Sequence, residues 1–123
     1  MPAPYLVSEI GGGSGSVTIH RPGTVLHRPV SAATAAAMNA MMMLSVETAY
    51  AQPARIPGVS VGGKTGTAEV GAGAAPHAWF IGYAPADRPG VAVAVIMENR
   101  GSGTTFAAPV ARGVLEAALR IGY

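Results

Sequence analysis

The alternation of apolar and polar positions predicts one long helix in the first half of the chain. Residues 31–50 begin with Ser31, a residue type that caps helix N-termini, and continue into an alanine-rich run of strong helix formers. Apolar side chains then recur at spacings of three and four, so one helix face carries Met38, Met41, Met42, Ser45, Val46 and Ala49. We expect this face to fill a hydrophobic core, because flexible methionine side chains pack readily into irregular space.

Three strands are predicted in the second half of the chain. Residues 58–67 form a glycine-rich strand, residues 77–84 a strand with aromatic side chains, and residues 91–97 a continuously apolar strand. Only a short turn around Pro89-Gly90 separates the last two strands, and connections of this length join antiparallel strands. Because the last run lacks polar positions, we expect that strand to be central and covered on both faces.

Short strands precede the long helix, and a second helix follows the predicted sheet. Residues 4–10 and 17–27 are predicted strand segments, separated by a glycine- and serine-rich turn. The second helix begins at Thr104 or Thr105 and carries Pro109 near its first turn. Its predicted apolar stripe consists of Val110, Val114, Leu115, Ala118 and Leu119. Consecutive antiparallel strands with helices at both ends indicate an α+β fold, an antiparallel sheet flanked by helices.

Composition narrows the classes of function. Half of the 123 residues are hydrophobic and 11% are charged, so a core can form, although much of the apolar content is alanine, which buries little area. Lys64 is the only lysine and the arginines are scattered, so the chain has no basic patch for nucleic acid. Cysteine is absent and the histidines lack metal-ligand spacing, so we expect no metal and no cofactor.

One motif carries evident chemistry, the segment GGKTGT at residues 62–67, and it matches two patterns. The first pattern is the phosphate-binding loop, whose four signature positions are Gly58, Gly63, Lys64 and Thr65. This loop needs a buried strand before it and a helix that starts at the lysine, because the helix N-terminus binds the phosphate. Two prolines precede Gly58, and three glycines and a proline follow Thr65, so nucleotide binding is the weaker hypothesis.

The second pattern is Lys-Thr-Gly on a strand, as in penicillin-binding proteins and serine β-lactamases. The segment GKTGTAEV is followed by PHAWFIGYAP, by VAVAVIMEN and by FAAPVARGVLEAAL. In this order, these segments resemble the end of the transpeptidase domain of class B penicillin-binding proteins, in particular the actinobacterial penicillin-binding protein A group. The resemblance spans roughly residues 4–120. It implies part of the fold shared by these transpeptidases and the serine β-lactamases, and the chemistry of a peptidoglycan D,D-transpeptidase that binds penicillin.

The resemblance also implies a role for each residue of the motif. Lys64 would be catalytic, with its ammonium close to the nucleophilic serine, where it assists proton transfer. The backbone N–H of Thr67 would donate to the oxyanion. The hydroxyls of Thr65 and Thr67 would bind the terminal carboxylate of the substrate, while Gly66 would let the substrate approach the strand closely. The implied ligands are a D-Ala-D-Ala stem peptide or a β-lactam.

Two motifs of that family, Ser-x-x-Lys with the nucleophile and Ser-x-Asn, do not occur in the chain. In the family both precede the segment described above. We therefore expect residues 1–123 to be the C-terminal portion of an incomplete transpeptidase domain, inactive without the N-terminal remainder as its partner. The parent protein is expected at the cell membrane, with this domain on the extracytoplasmic side, although the chain shows no signal peptide or membrane segment. A non-catalytic remnant or binding module is the alternative.

Overall fold

The computed structural model describes residues 28–122, so the strands predicted within residues 4–27 lie outside the described residues. Residues from Ala36 onward belong to one compact unit. The helices and strands, in chain order, are α1 (Ala32–Thr48), β1 (Gly62–Ala68), β2 (His77–Ala84), β3 (Val91–Met97) and α2 (Ala108–Arg120). A short 3-10 helix (Gln52–Ala54) follows α1, and a π-helical turn (Gly103–Ala107) precedes α2.

The three strands form an antiparallel sheet in the order β1-β2-β3. Gly62 of β1 lies opposite Tyr83 of β2, and Ala84 of β2 lies opposite Val91 of β3. The bounds of β2 and β3 agree with the sequence prediction, and so does the predicted cap of α1, where the N–H of Thr34 donates to Ser31 Oγ at 3.1 Å. The predicted α+β fold is confirmed.

Strand β1 begins at Gly62 rather than at the predicted residue 58. A tight turn precedes it, in which the N–H of Val59 donates to the carbonyl of Ile56 at 3.1 Å. Gly58 has a φ of +77° in this turn, a conformation that favours glycine. Gly58, the first glycine of the phosphate-loop pattern, is therefore a turn residue.

The hydrophobic core lies between one face of the sheet and α2. Its fully buried members include Ala78, Phe80 and Ala84 from β2, and Ala108, Ala111 and Leu115 from α2. Alanines on both elements allow a close approach between helix and sheet, and the Phe80 ring fills the space beside them. Small residues on β1 make room for that ring, because a Cβ at Gly63 would overlap it.

The buried face of α2 differs from the predicted stripe. Leu115 is fully buried as expected, but Val110 and Val114 are 45% and 46% exposed. The helix turns its alanines toward the sheet instead, at positions 108 and 111, because a valine there would hold the two elements further apart. Pro109 lies at the start of α2, as predicted.

Within residues 28–122, strand β3 lies at an edge of the sheet, so the described residues do not give it the predicted central position with cover on both faces. Its even-numbered residues belong to a face that none of the described residues covers. This open face consists of Trp79, Ile81, Ala92, Ala94 and Ile96, all of them exposed. Trp79 is 37% exposed there.

Helix α1 contributes less to the core than its methionine-rich sequence predicts. Val46 is its one buried residue, and Met38 and Met41 are more than half exposed, so the prediction of a core-filling face is wrong. The helix is anchored to the end of β2 by polar contacts instead. The Tyr83 hydroxyl donates to Asn39 Oδ1 at 2.8 Å, and burial raises the pKa of Tyr83.

Two adjacent residues of β2 test the difference between the two faces of the sheet. Phe80→Ala should lower the free energy of unfolding of the chain by about 3–5 kcal/mol, because it leaves a cavity in the core. Ile81→Ala, on the open face, should lower it by about 1 kcal/mol or less, because Ile81 is already 50% exposed. Urea unfolding followed by circular dichroism measures both, and equal losses would contradict the assignment of the core.

A hydrogen bond between the start of β1 and the β2–β3 turn predicts a dependence of stability on pH. Ser60 Oγ donates to Asp87 Oδ1 at 2.8 Å, and this bond is the main cause that lowers the pKa of Asp87. A carboxyl with a lowered folded-state pKa stabilises the fold above its unfolded pKa of about 4, and this contribution disappears as the pH falls through the folded value.

Ser60→Ala should therefore raise the pKa of Asp87 toward its ordinary value and weaken the fold more at pH 7 than at pH 2. Ser60→Thr keeps the hydroxyl and should leave the pKa of Asp87 low. Titration of the Asp87 carboxyl by NMR measures the shift, and an unchanged Asp87 pKa in Ser60→Ala would refute the assignment.

Candidate active site on strand β1

Strand β1 carries the whole Lys-Thr-Gly motif and lies at an edge of the sheet that residues 28–122 form. Side chains alternate along the strand, so Lys64 lies on the same side as Ile81, on the open face. Thr65 and Thr67 project to the other side, where Thr65 lies opposite Phe80. At an edge strand, threonine side chains of that side can still contact solvent, and Thr67 is exposed while Thr65 is half-buried.

The Lys64 ammonium lies at the unpaired edge of β1. The side chain is exposed, and its Nζ donates to the carbonyl oxygen of Thr65 at 2.6 Å. We infer that the Thr65 carbonyl points away from β2, since a carbonyl engaged in the ladder would face the neighbouring strand. The N–H and C=O of one strand residue point the same way, and this direction repeats every second residue. The backbone groups of Thr67 therefore also face the free edge.

Gly66 separates the two threonines, and its lack of a side chain matters on the open face. A Cβ at this position would lie 3.1 Å from the Cβ of Trp79, its partner on β2. This distance is tight for two packed carbons, so glycine keeps the strands close without displacing the tryptophan.

The strand conformation excludes the phosphate-binding loop. Lys64 and Thr65 lie within a strand that continues to Ala68, and turns and bends follow it rather than a helix. Without a helix N-terminus at the lysine, the aligned N–H groups that bind a phosphate are missing. The nucleotide-binding hypothesis is wrong.

The histidines do not belong to the motif. His77 begins β2 opposite Ala68, and its Nδ1 accepts the N–H of Asn99 at 3.0 Å. His20 and His27 lie outside the described residues. Sequence reasoning did not single out Gly103, which packs against the backbone of Gly66. The only local signal was its place in a Gly-Ser-Gly loop.

Two surface clefts formed by described residues lie away from β1. One, of about 360 Å³, is lined by Glu47, Gln52, Arg55, Pro57 and Arg112. The other, of about 460 Å³, is lined by Ile56, Val59, Glu116, Leu119 and Arg120. Neither of these two clefts is lined by a residue of the motif.

Comparison with known proteins places this geometry in a family. The penicillin binding protein transpeptidase domain family matches residues 1–116. Peptidoglycan D,D-transpeptidase PbpA of Mycobacterium tuberculosis is 41% identical over 125 residues, which are 95% of this chain and 25% of that protein. PbpA of Mycolicibacterium smegmatis is 39% identical over 97% of this chain and 26% of its own length. The chain thus spans about a quarter of these relatives.

Solved structures support the same family assignment. The D,D-transpeptidase domain of a peptidoglycan glycosyltransferase from Eggerthella lenta has a TM-score of 0.84 and 35% identity, covering 96% of this chain and 27% of that one. Penicillin-binding protein A from M. tuberculosis, as a ceftriaxone acyl-enzyme complex, has a TM-score of 0.83 and 40% identity, covering 94% of this chain and 28% of that one. The resemblance drawn from the sequence is confirmed, and the chain belongs to the penicillin-binding protein transpeptidase domain family.

Proposed function

We propose that this chain supplies the Lys-Thr-Gly strand of the active site of a peptidoglycan D,D-transpeptidase. Such an enzyme attacks a D-Ala-D-Ala peptide with a serine, releases the terminal D-alanine, and transfers the acyl group to an amine of a second cell-wall peptide. The observation that carries the proposal is the unpaired edge of β1, where the Lys64 ammonium meets backbone groups that are free to bind a peptide. The β-lactam complexes among the similar structures support it.

The edge of β1 suits an extended peptide that adds as a further strand. Main-chain hydrogen bonds would supply affinity, and the side chains along the edge would supply specificity. The ammonium of Lys64 would attract the terminal carboxylate of the substrate, and the hydroxyls of Thr65 and Thr67 would donate to that carboxylate. These contacts place the scissile carbonyl beside the strand.

The negative charge that develops on the scissile carbonyl oxygen in the transition state requires hydrogen-bond donors beside the strand. The N–H of Thr67, which faces the free edge, would be one of two donors to the oxyanion, and one such donor contributes roughly 3 kcal/mol to transition-state stabilisation. Lys64 would assist the transfer of a proton from the nucleophilic serine to the leaving amine. Gly66 would keep the substrate backbone in contact with the strand, because no side chain projects between them.

The nucleophile itself must come from the N-terminal remainder of the domain. No serine of this chain has a lysine three residues later, so we propose that residues 1–123 form the C-terminal portion of the domain and are inactive alone. The relatives extend well beyond the matched region. The open face is the surface that fits this partner, since Lys64 projects from the same side. An element that covers Trp79 and Ile81 would bring a serine to the ammonium.

The substrate chemistry also indicates a location. Cross-linking of cell-wall peptides takes place outside the cytoplasm, so we place the domain on the extracytoplasmic side of the cell membrane. Within residues 28–122, none of the helices has the length and hydropathy needed to span a bilayer.

Acylation by a fluorescent penicillin tests the catalytic role of Lys64 in a protein that also contains the N-terminal remainder. Lys64→Ala should reduce the acylation rate at least about a hundredfold, because the mutant loses the proton-transfer group and the positive charge beside the serine. Its free energy of unfolding should change by no more than about 0.5 kcal/mol, since Lys64 is exposed.

Arg88→Ala is the control, because it removes an exposed cation from the β2–β3 turn and should leave acylation unchanged. Normal labelling of Lys64→Ala would contradict the assigned role. If the unmodified protein, with both parts present, takes up no label, the chain is a remnant or binding module without this chemistry.

Charge placed on the open face tests the proposed partner surface. Ile81→Asp should lower the affinity of this chain for a separately expressed N-terminal remainder at least about tenfold, because it buries a carboxylate without a partner. Ile121→Asp changes the same residue type at a 75% exposed position beyond α2 and should have little effect. Calorimetric titration measures both affinities, and equal binding by the two variants would exclude the open face as the contact surface.

A further inference from the structure

The connection from β3 to α2 is held against the start of β2 before it reaches the Lys64 strand. The N–H of Asn99 donates to His77 Nδ1 at 3.0 Å, and the N–H of Gly101 donates to the carbonyl of Pro76 at 2.7 Å. Two hydrogen bonds from one turn to adjacent residues fix the path of this connection. The chain then enters the π-helical turn at Gly103.

Gly103 is buried directly against the backbone of the motif. A Cβ at this position would overlap the carbonyl oxygens of Gly66 and Trp79, and would lie 3.0 Å from the amide nitrogen of Gly66. All three atoms belong to the main chain, so no rotamer change could make room for a side chain. Gly66 and Trp79 are opposed residues of β1 and β2. Gly103 therefore rests on the point where the motif strand joins its neighbour.

The neighbours of Gly66 make this contact important for the active-site edge. The backbone groups of Thr65 and Thr67 face the free edge, so those of Gly66 face β2. Gly103 packs over the pair formed by Gly66 and Trp79. A shift of Gly66 rotates the peptide bond that joins it to Thr67. That peptide bond carries the N–H assigned to the oxyanion, so its direction depends on how closely Gly103 approaches.

We propose that Gly103 is a positioning residue for the Lys64–Thr67 edge and acts through Gly66. The inference rests on the proposed function, and it extends that function to a residue outside the motif, 37 positions after Gly66 in the sequence. Any side chain at position 103 pushes the π-helical turn and β1 apart. The displaced edge still binds a β-lactam, but its oxyanion donor points away from the reacting carbonyl.

The test is Gly103→Ala in a protein that contains the N-terminal remainder, with penicillin binding and acylation measured separately in stopped-flow. The acylation rate constant should fall about tenfold or more, since small misplacements of catalytic groups have effects of this order, while the dissociation constant of the non-covalent complex changes less. Gly113→Ala is the matched control, because a Cβ there meets no atom within 4 Å. It should keep the acylation rate and the melting temperature.

A second pair of variants decides the question if Gly103→Ala does not fold. His77→Phe removes the acceptor of the Asn99 N–H and should lower the acylation rate constant, whereas His77→Asn offers an oxygen in its place and should restore most of it. A folded Gly103→Ala that acylates at the normal rate would overturn the inference, as would equal rates for the two His77 variants. Absence of acylation in the unmodified protein would instead refute the proposed function.

Discussion

In the described part of the chain, β1 is paired along one edge only, and the other features of the candidate site depend on this pairing. Strand β2 satisfies the inner backbone groups of β1, and no described strand pairs with the outer groups, one of which accepts a hydrogen bond from the Lys64 ammonium. Glycines at three positions allow β1 to pack closely against its neighbours. Gly63 leaves space for the Phe80 ring, Gly66 for Trp79, and Gly103 allows the π-helical turn to rest on the strand. An exposed edge held this firmly can receive a peptide without rearrangement.

One face of the sheet is buried and the other is exposed. This difference is the reason why the chain is proposed to need a partner. One face is packed by α2 through alanines, Leu115 and Phe80. The other exposes Trp79, Ile81 and Ile96 beside the motif. Contiguous apolar surface next to unpaired strand edges favours association with another protein surface. This apolar face is also the side from which Lys64 projects, and it is the face proposed to receive the N-terminal remainder.

The sequence predicted the fold class and two of the three strand bounds, because alternation, aromatic content and turn residues are local signals. It failed where burial depends on something beyond the local pattern. A continuous apolar run shows that both faces of β3 are apolar, but it does not show what covers them, and the exposure of Met38 and Met41 in α1 was mispredicted for the same reason. The motif residues could be identified from the sequence alone, because they are consecutive along the chain. The contact of Gly103 was not, because it joins segments far apart in sequence and has no residue pattern of its own.

The role of the β1 edge can be tested directly by a crystal structure of the penicillin acyl-enzyme formed by a protein that includes this chain and the N-terminal remainder. The acyl carbonyl oxygen should accept the N–H of Thr67 at about 2.7–3.1 Å, and the carboxylate of the drug should accept hydrogen bonds from the hydroxyls of Thr65 and Thr67. A β1 edge paired with another strand, or an acyl carbonyl directed away from Thr67, would contradict this role.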